Sequence, residues 1–218
     1  MHGLNSVQLF AVAAIPVLFA ITVHEVAHGW MARRFGDPTA MMLGRLTLNP
    51  LKHIDPIGTI LVPALLLFAD SGFIFGWAKP VPVTQQNLRH PERDMAWVAA
   101  AGPLSNLLMA LLWGLMIKLV LTVGELFPAF VEPLLLMGQF GIAINLVLMV
   151  LNLLPIPPLD GSRVVSAFLP GPLAWHYNRF EAFGLLVVAA LLFSRILGRL
   201  IGPPIRFLES AIYTLFGL

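Results

Sequence analysis

Four stretches of the chain are apolar for long enough to cross about 30 Å of hydrocarbon, which takes roughly 20 residues. They run at about Ser6–Met31, Met95–Val123, Pro133–Leu153 and Phe180–Ile201, and each is predicted as a membrane helix. Ile57–Ala69 is apolar too, but it is short and contains Pro63. A run of that length is re-entrant or interfacial more often than spanning. Near the C-terminus Ile205, Leu208, Ile212 and Leu215 repeat at helical spacing, opposite Arg206, Glu209 and Ser210. That pattern predicts an amphipathic helix, lying at the interface or packed as a further helix. Arg45–Asn49 alternates polar and apolar residues, and Gly72–Val83 is rich in aromatic and β-branched residues. Both read as strands, with Pro80 and Pro82 confining the second to an edge. The predicted fold class is an all-α polytopic membrane protein. It is a helical bundle with a small membrane-associated β element on the cytoplasmic side.

Composition agrees with a membrane protein. Of 218 residues, 58% are hydrophobic and 11% charged, with mean hydropathy +0.86. A soluble domain carries about a quarter charged residues. The net charge of +2 gives no argument for nucleic acid, and the absence of Cys excludes disulfides, thiolate ligands and a cysteine nucleophile. The first apolar run lacks the cationic start and small-residue cleavage site of a signal peptide, so it is expected to be retained.

Cations orient the bundle. Arg33, Arg34, Arg45, Lys52, Lys79, Arg89 and Arg93 cluster between the first two long spans, whereas Gly124–Glu132 has neither Lys nor Arg and carries Glu125 and Glu132. If Ile57–Ala69 does not cross, the cationic connections face the cytoplasm and the acidic one faces out.

Candidate chemistry lies inside the first span. His24 and His28, four apart, project from one face of a helix at the spacing a zinc ion needs. Glu25 beside them can take a proton from an attacking water. Ionisable groups at this depth are costly, so the trio reads as functional rather than incidental. A catalytic zinc takes three protein ligands and leaves a position open. Asp160, closing Asn152-Leu153-Leu154-Pro155-Ile156-Pro157-Pro158-Leu159-Asp160-Gly161, is the candidate third. Three prolines cannot continue a helix, and irregular backbone at this depth survives only when buried or lining a wet cavity. His24 stands nine positions before Arg33, about 14 Å along the axis, and Asp160 arrives at the same side. Gly161 is expected to give the chain room to turn.

Gly102-Pro103-Leu104-Ser105-Asn106 is a second constellation. The small residues Ala99–Gly102 suit close helix approach, and Asn106 is either interhelical glue or a donor that positions a loop or stabilises a developing oxyanion. Asn145 and Asn152 carry the same alternatives. His2, His53, His90 and His176 read as surface imidazoles. A membrane metal transporter, which would need several coordination stations where the sequence offers one, and a non-catalytic membrane scaffold are the alternative readings.

Taken together, the His24–His28, Gly102–Asn106 and Asn152–Gly161 motifs resemble the site-2 protease family of intramembrane zinc metalloproteases. Gly44–Ile60 and Gly76–Val83 are similar to its small bacterial and archaeal members, without a PDZ or CBS domain. The resemblance covers about residues 5–170. It implies one Zn2+ held by His24, His28 and Asp160, with Glu25 as general base and acid. It also implies that Asn106 and Asn152 support the substrate site, and that substrates are transmembrane proteins or peptides cut in or near the bilayer. One membrane protease domain, 1–218, is expected. It comprises a catalytic core of about 5–170 and a C-terminal helical region of about 178–218, in a prokaryotic inner membrane with the site nearer the cytoplasm.

Overall fold

The computed structural model describes residues 6–68 and 76–218. His2, Ala69 and residues 72–75 of the second expected strand lie outside the described residues. Three long helices form the centre: α1 (Ser6–Arg34), and, numbered in chain order, α4 (Pro91–Val123) and α5 (Pro128–Asn152). They pack on one another pairwise. All three are long and apolar enough to cross a membrane. Large side chains such as Phe10, Phe19, Leu108, Leu112 and Phe130 face outward. This is how helices meet lipid rather than water.

Local sequence sets the ends. Gly36, at φ +111°, ends α1 in a conformation that a Cβ would strain. Pro91 opens α4 where its missing N–H costs nothing, and Asp94 caps that end by accepting from His90 N–H at 2.8 Å. The short α4–α5 connection leaves the two helices antiparallel neighbours.

The remaining elements are α2 (Thr39–Met42), α3 (Val62–Phe68), α6 (Asp160–Ser166), α7 (Gly171–Arg179), α8 (Glu181–Phe193) and α9 (Ile196–Phe216). A wide helical turn at Pro56–Leu61 runs into α3. Together they span about 20 Å, too little to cross. Phe180–Ile201 is not one continuous helix. It breaks after Phe193, and α8 and α9 diverge by 84°. Polar Ser194 and Arg195, the latter at φ +59°, occupy the break. The C-terminal repeat is a packed helix: Ile212 is buried, and Ile205 and Leu208 cover the Ile142–Leu146 core of α5.

The β element is not supported: no strand occurs among the described residues. Residues 46–48 form bends, and residues 76–83 are extended but pair with no strand. The N–H groups of Trp77 and Lys79 go to the carbonyls of Gly58 and His53, at 3.1 and 2.9 Å. Pro80 and Pro82 have none to give, so a ladder lacks donors. His53 is no surface imidazole either. It is buried and donates through Nε2 to the Thr47 carbonyl at 2.9 Å.

The extended segment is tied to α1 by Asp37. Its carboxylate accepts from Thr84 N–H at 2.7 Å, Asn87 Nδ2 at 3.0 Å and Thr39 N–H at 3.0 Å, and from the Thr39 hydroxyl. Burial alone would raise its pKa, but these bonds outweigh burial and hold it below the ordinary value. Asp37→Ala is expected to cost on the order of 3 kcal/mol, read as a fall in thermal midpoint. Because the folded pKa is depressed, the contribution is present above about pH 4 and lost as pH falls further. An unchanged midpoint for Asp37→Ala would count against the clasp.

Candidate active site

α1 delivers His24 and His28 on one face, one turn apart. His28 Nδ1–H donates to the Val98 carbonyl of α4 at 2.7 Å. His24 Nδ1 lies 2.6 Å from Asn106 Oδ1, also on α4. Both acceptors are oxygens without protons, so each neutral ring carries its proton on Nδ1 and leaves Nε2 bare.

Asp160 enters from the other side. After α5 the chain makes turns through the prolines, held by Tyr177 Oη donating to the Pro155 carbonyl at 2.8 Å, and α6 begins at Asp160 itself. Gly161 serves a close approach rather than a turn, because a Cβ there would strike the carbonyls of Leu153 and Leu154. α6 therefore presses on the end of α5, and this sets the depth of Asp160.

The three groups converge. Asp160 Oδ2 stands 3.2 Å from His24 Nε2 and 3.3 Å from His28 Nε2, and the two Nε2 atoms are 3.0 Å apart. With both ring protons on Nδ1, three lone pairs face one another with no hydrogen between them. Asp160 Oδ2 is buried without a hydrogen-bond partner. That arrangement is repulsive unless a cation sits among the three atoms. Donors on a tetrahedral ion with bonds of about 2.0–2.1 Å stand about 3.3 Å apart, so the spacing fits zinc.

Gly102 of α4 lies against both rings. A Cβ there would meet His28 Nε2 and Cε1 and His24 Cε1. The sequence marks this glycine as a place for close helix approach, and imidazoles take that place. Glu25 shares the cavity of about 340 Å³ with the cluster, as do Asn152 and Arg163. Its Oε2 accepts from Val81 N–H of the extended segment at 2.7 Å, a backbone contact that no side-chain pattern announces. Asn152 bonds the Leu148 carbonyl one turn back at 3.0 Å. Asn106 does not line the cavity, lying instead behind His24.

Such a cluster, with its histidines on a helix apolar enough to cross a membrane, defines a metal-site protein of the membrane. Comparison with known proteins takes the class further. The profile described as "Peptidase family M50" matches residues 130–194, the stretch containing Asp160. The chain is 36% identical over 210 residues to "Putative zinc metalloprotease YwhC" of Bacillus subtilis, covering 96% of this chain and 92% of that protein. It is 32% identical to "Putative zinc metalloprotease Rip2" of Mycolicibacterium smegmatis, over 91% of this chain and 73% of the relative. "Putative zinc metalloprotease MJ0611" of Methanocaldococcus jannaschii is 30% identical over 74% of this chain and 72% of its own length. No solved structure matches. The chain belongs to peptidase family M50, the site-2 proteases, and is a zinc metalloprotease of the membrane.

Proposed function

We propose that the chain hydrolyses peptide bonds in or near transmembrane helices of membrane-protein substrates, with zinc held by His24, His28 and Asp160. The carrying observation is the inward-facing triangle of Nε2, Nε2 and Oδ2 atoms, 3.0–3.3 Å on a side, beside Glu25 in an apolar bundle. When bound, zinc acidifies water and polarises the scissile carbonyl. Glu25 is the general base and acid. Val81 N–H holds Oε2, which leaves Oε1 to take the proton of the attacking water and pass it to the leaving amine nitrogen. Asn106 acts through His24, and Asn152 contacts the extended peptide from the cavity wall.

Water reaches the site from the cationic, cytoplasmic side. A second cavity of about 310 Å³ shares Met95, Pro158 and Arg163 with the first, and Glu92, Ser166 and Glu181 make it polar. A helical substrate unwinds locally to present a carbonyl, because intrahelical bonds otherwise occupy it. The donors of Trp77, Lys79 and Val81 are already engaged, so a substrate strand at residues 76–83 would have to use other backbone groups. A transporter would need successive stations, and among the described residues one His/Asp cluster occurs.

The test is metal analysis of the purified protein paired with cleavage of a model transmembrane helix in proteoliposomes. About one zinc per chain is expected, with cleavage abolished by chelation and restored by zinc. Persistent cleavage in metal-free protein would sink the proposal.

A further inference from the structure

Behind the metal cluster runs a chain of buried amides whose direction is fixed at its far end. Asn145 on α5 and Asn106 on α4 are both fully buried. Asn145 Nδ2 donates to the Gly141 carbonyl, one turn earlier, at 2.8 Å. A carbonyl can only accept, so this contact decides which end of the Asn145 amide is nitrogen. Its Oδ1 therefore faces α4, where it accepts from Asn106 Nδ2 at 2.9 Å. Asn106 Nδ2 also donates to the Ala20 carbonyl of α1 at 3.2 Å. Asn106 Oδ1 is left facing His24 Nδ1. Reversing any member would set donor against donor in a dry interior.

From this directionality we infer that Asn145 is a positioning residue for the metal. It orients Asn106, which holds His24 in the tautomer whose Nε2 lone pair points at the cluster. The inference deepens the zinc-protease reading and rests on it. Asn145 lines no cavity wall of the metal site, and its sequence neighbours Ile142 and Leu146 are aliphatic core. Packing alone would favour an apolar residue there, since a buried amide costs free energy unless its polar atoms are matched. Here the two amides connect three helices, and the chain ends on a ligand. Partners of this kind typically change metal affinity 10- to 100-fold when removed.

The experiment measures the zinc dissociation constant by chelator competition for wild type, Asn145→Ser, Asn106→Leu and the double variant. Serine can still bond the carbonyl one turn back but is too short to reach Asn106. Asn145→Ser is expected to weaken zinc binding roughly 10- to 100-fold. In the Asn106→Leu background the same change is expected to add less than about twofold, because its effect passes through that amide. Asn145→Leu, which fills the volume without an amide, should behave as the serine variant does. A merely structural amide would lower the thermal midpoint of metal-free protein and leave the dissociation constant unchanged; that result overturns the inference. Equal weakening in both backgrounds overturns it as well. Wild-type protein that binds no zinc would remove the metal reading and the relay together.

Discussion

Glu25→Gln is expected to keep its zinc and lose peptide hydrolysis by about 10³-fold, within the range that a general base contributes. The substitution is nearly isosteric. Its amide oxygen can still accept from Val81 N–H, so the extended segment stays where Glu25 now holds it at 2.7 Å. His24, His28 and Asp160 are untouched, and so is the triangle that fits the metal. Only the proton-accepting lone pair is lost, because the amide NH2 that takes the place of Oε1 has no basic lone pair for a proton from water. Metal content and cleavage of a model membrane helix, measured on the same preparation, separate the two effects. Residual activity within tenfold of wild type would assign the proton transfer to another group. Loss of zinc together with activity would mean that Glu25 supports the metal centre.

The second large effect is expected at Gly102, and its sign opposes helix propensity. Gly→Ala inside a helix ordinarily stabilises by roughly 0.5–1 kcal/mol. At Gly102 the new methyl would fall on the facing imidazoles, against His28 Nε2 and Cε1 and His24 Cε1. Either the rings turn or α4 moves away from α1, and both displace the Nε2 lone pairs from Asp160 Oδ2. Gly102→Ala is therefore expected to weaken zinc binding by at least about 100-fold, equivalent to roughly 2.7 kcal/mol, with a matching loss of cleavage. Gly198 in α9 is the control, because a Cβ there meets nothing within 4 Å. Gly198→Ala should leave zinc affinity unchanged. Wild-type affinity in Gly102→Ala would show that the rings tolerate the methyl.

The parts of the fold that follow from uninterrupted periodicity were legible in the sequence. α1, α4 and α5 coincide with long apolar runs, because lipid leaves a backbone few alternatives to a helix. The histidine pair was legible for the same reason: spacing on a regular helix fixes which side chains share a face. Asp160 could be singled out because prolines and a carboxylate in an apolar context demand a compensating partner. Elements governed by tertiary pairing were not legible. Alternation in 45–49 and aromatic content in 72–83 both suggest strands, yet a strand exists only if a partner offers a complementary edge. The break at Ser194–Arg195 was hidden because two polar residues scarcely alter the hydropathy of the flanking runs. The Val81 N–H contact to Glu25 involves the backbone, on which side-chain identity is silent. Asn145 is an ambiguous amide in the sequence, since the direction of its bonds appears only once Gly141, Asn106 and His24 are in place.

The two imidazoles belong to the first helix to emerge from the ribosome, while the carboxylate follows α5. A nascent polypeptide halfway through the insertion machinery therefore holds only part of the ligand set, and a site of this kind rarely pre-exists in an unfolded chain. With His24, His28 and Asp160 as the proposed ligands, the order of synthesis leaves the metal site incomplete until the segment after α5 has been made.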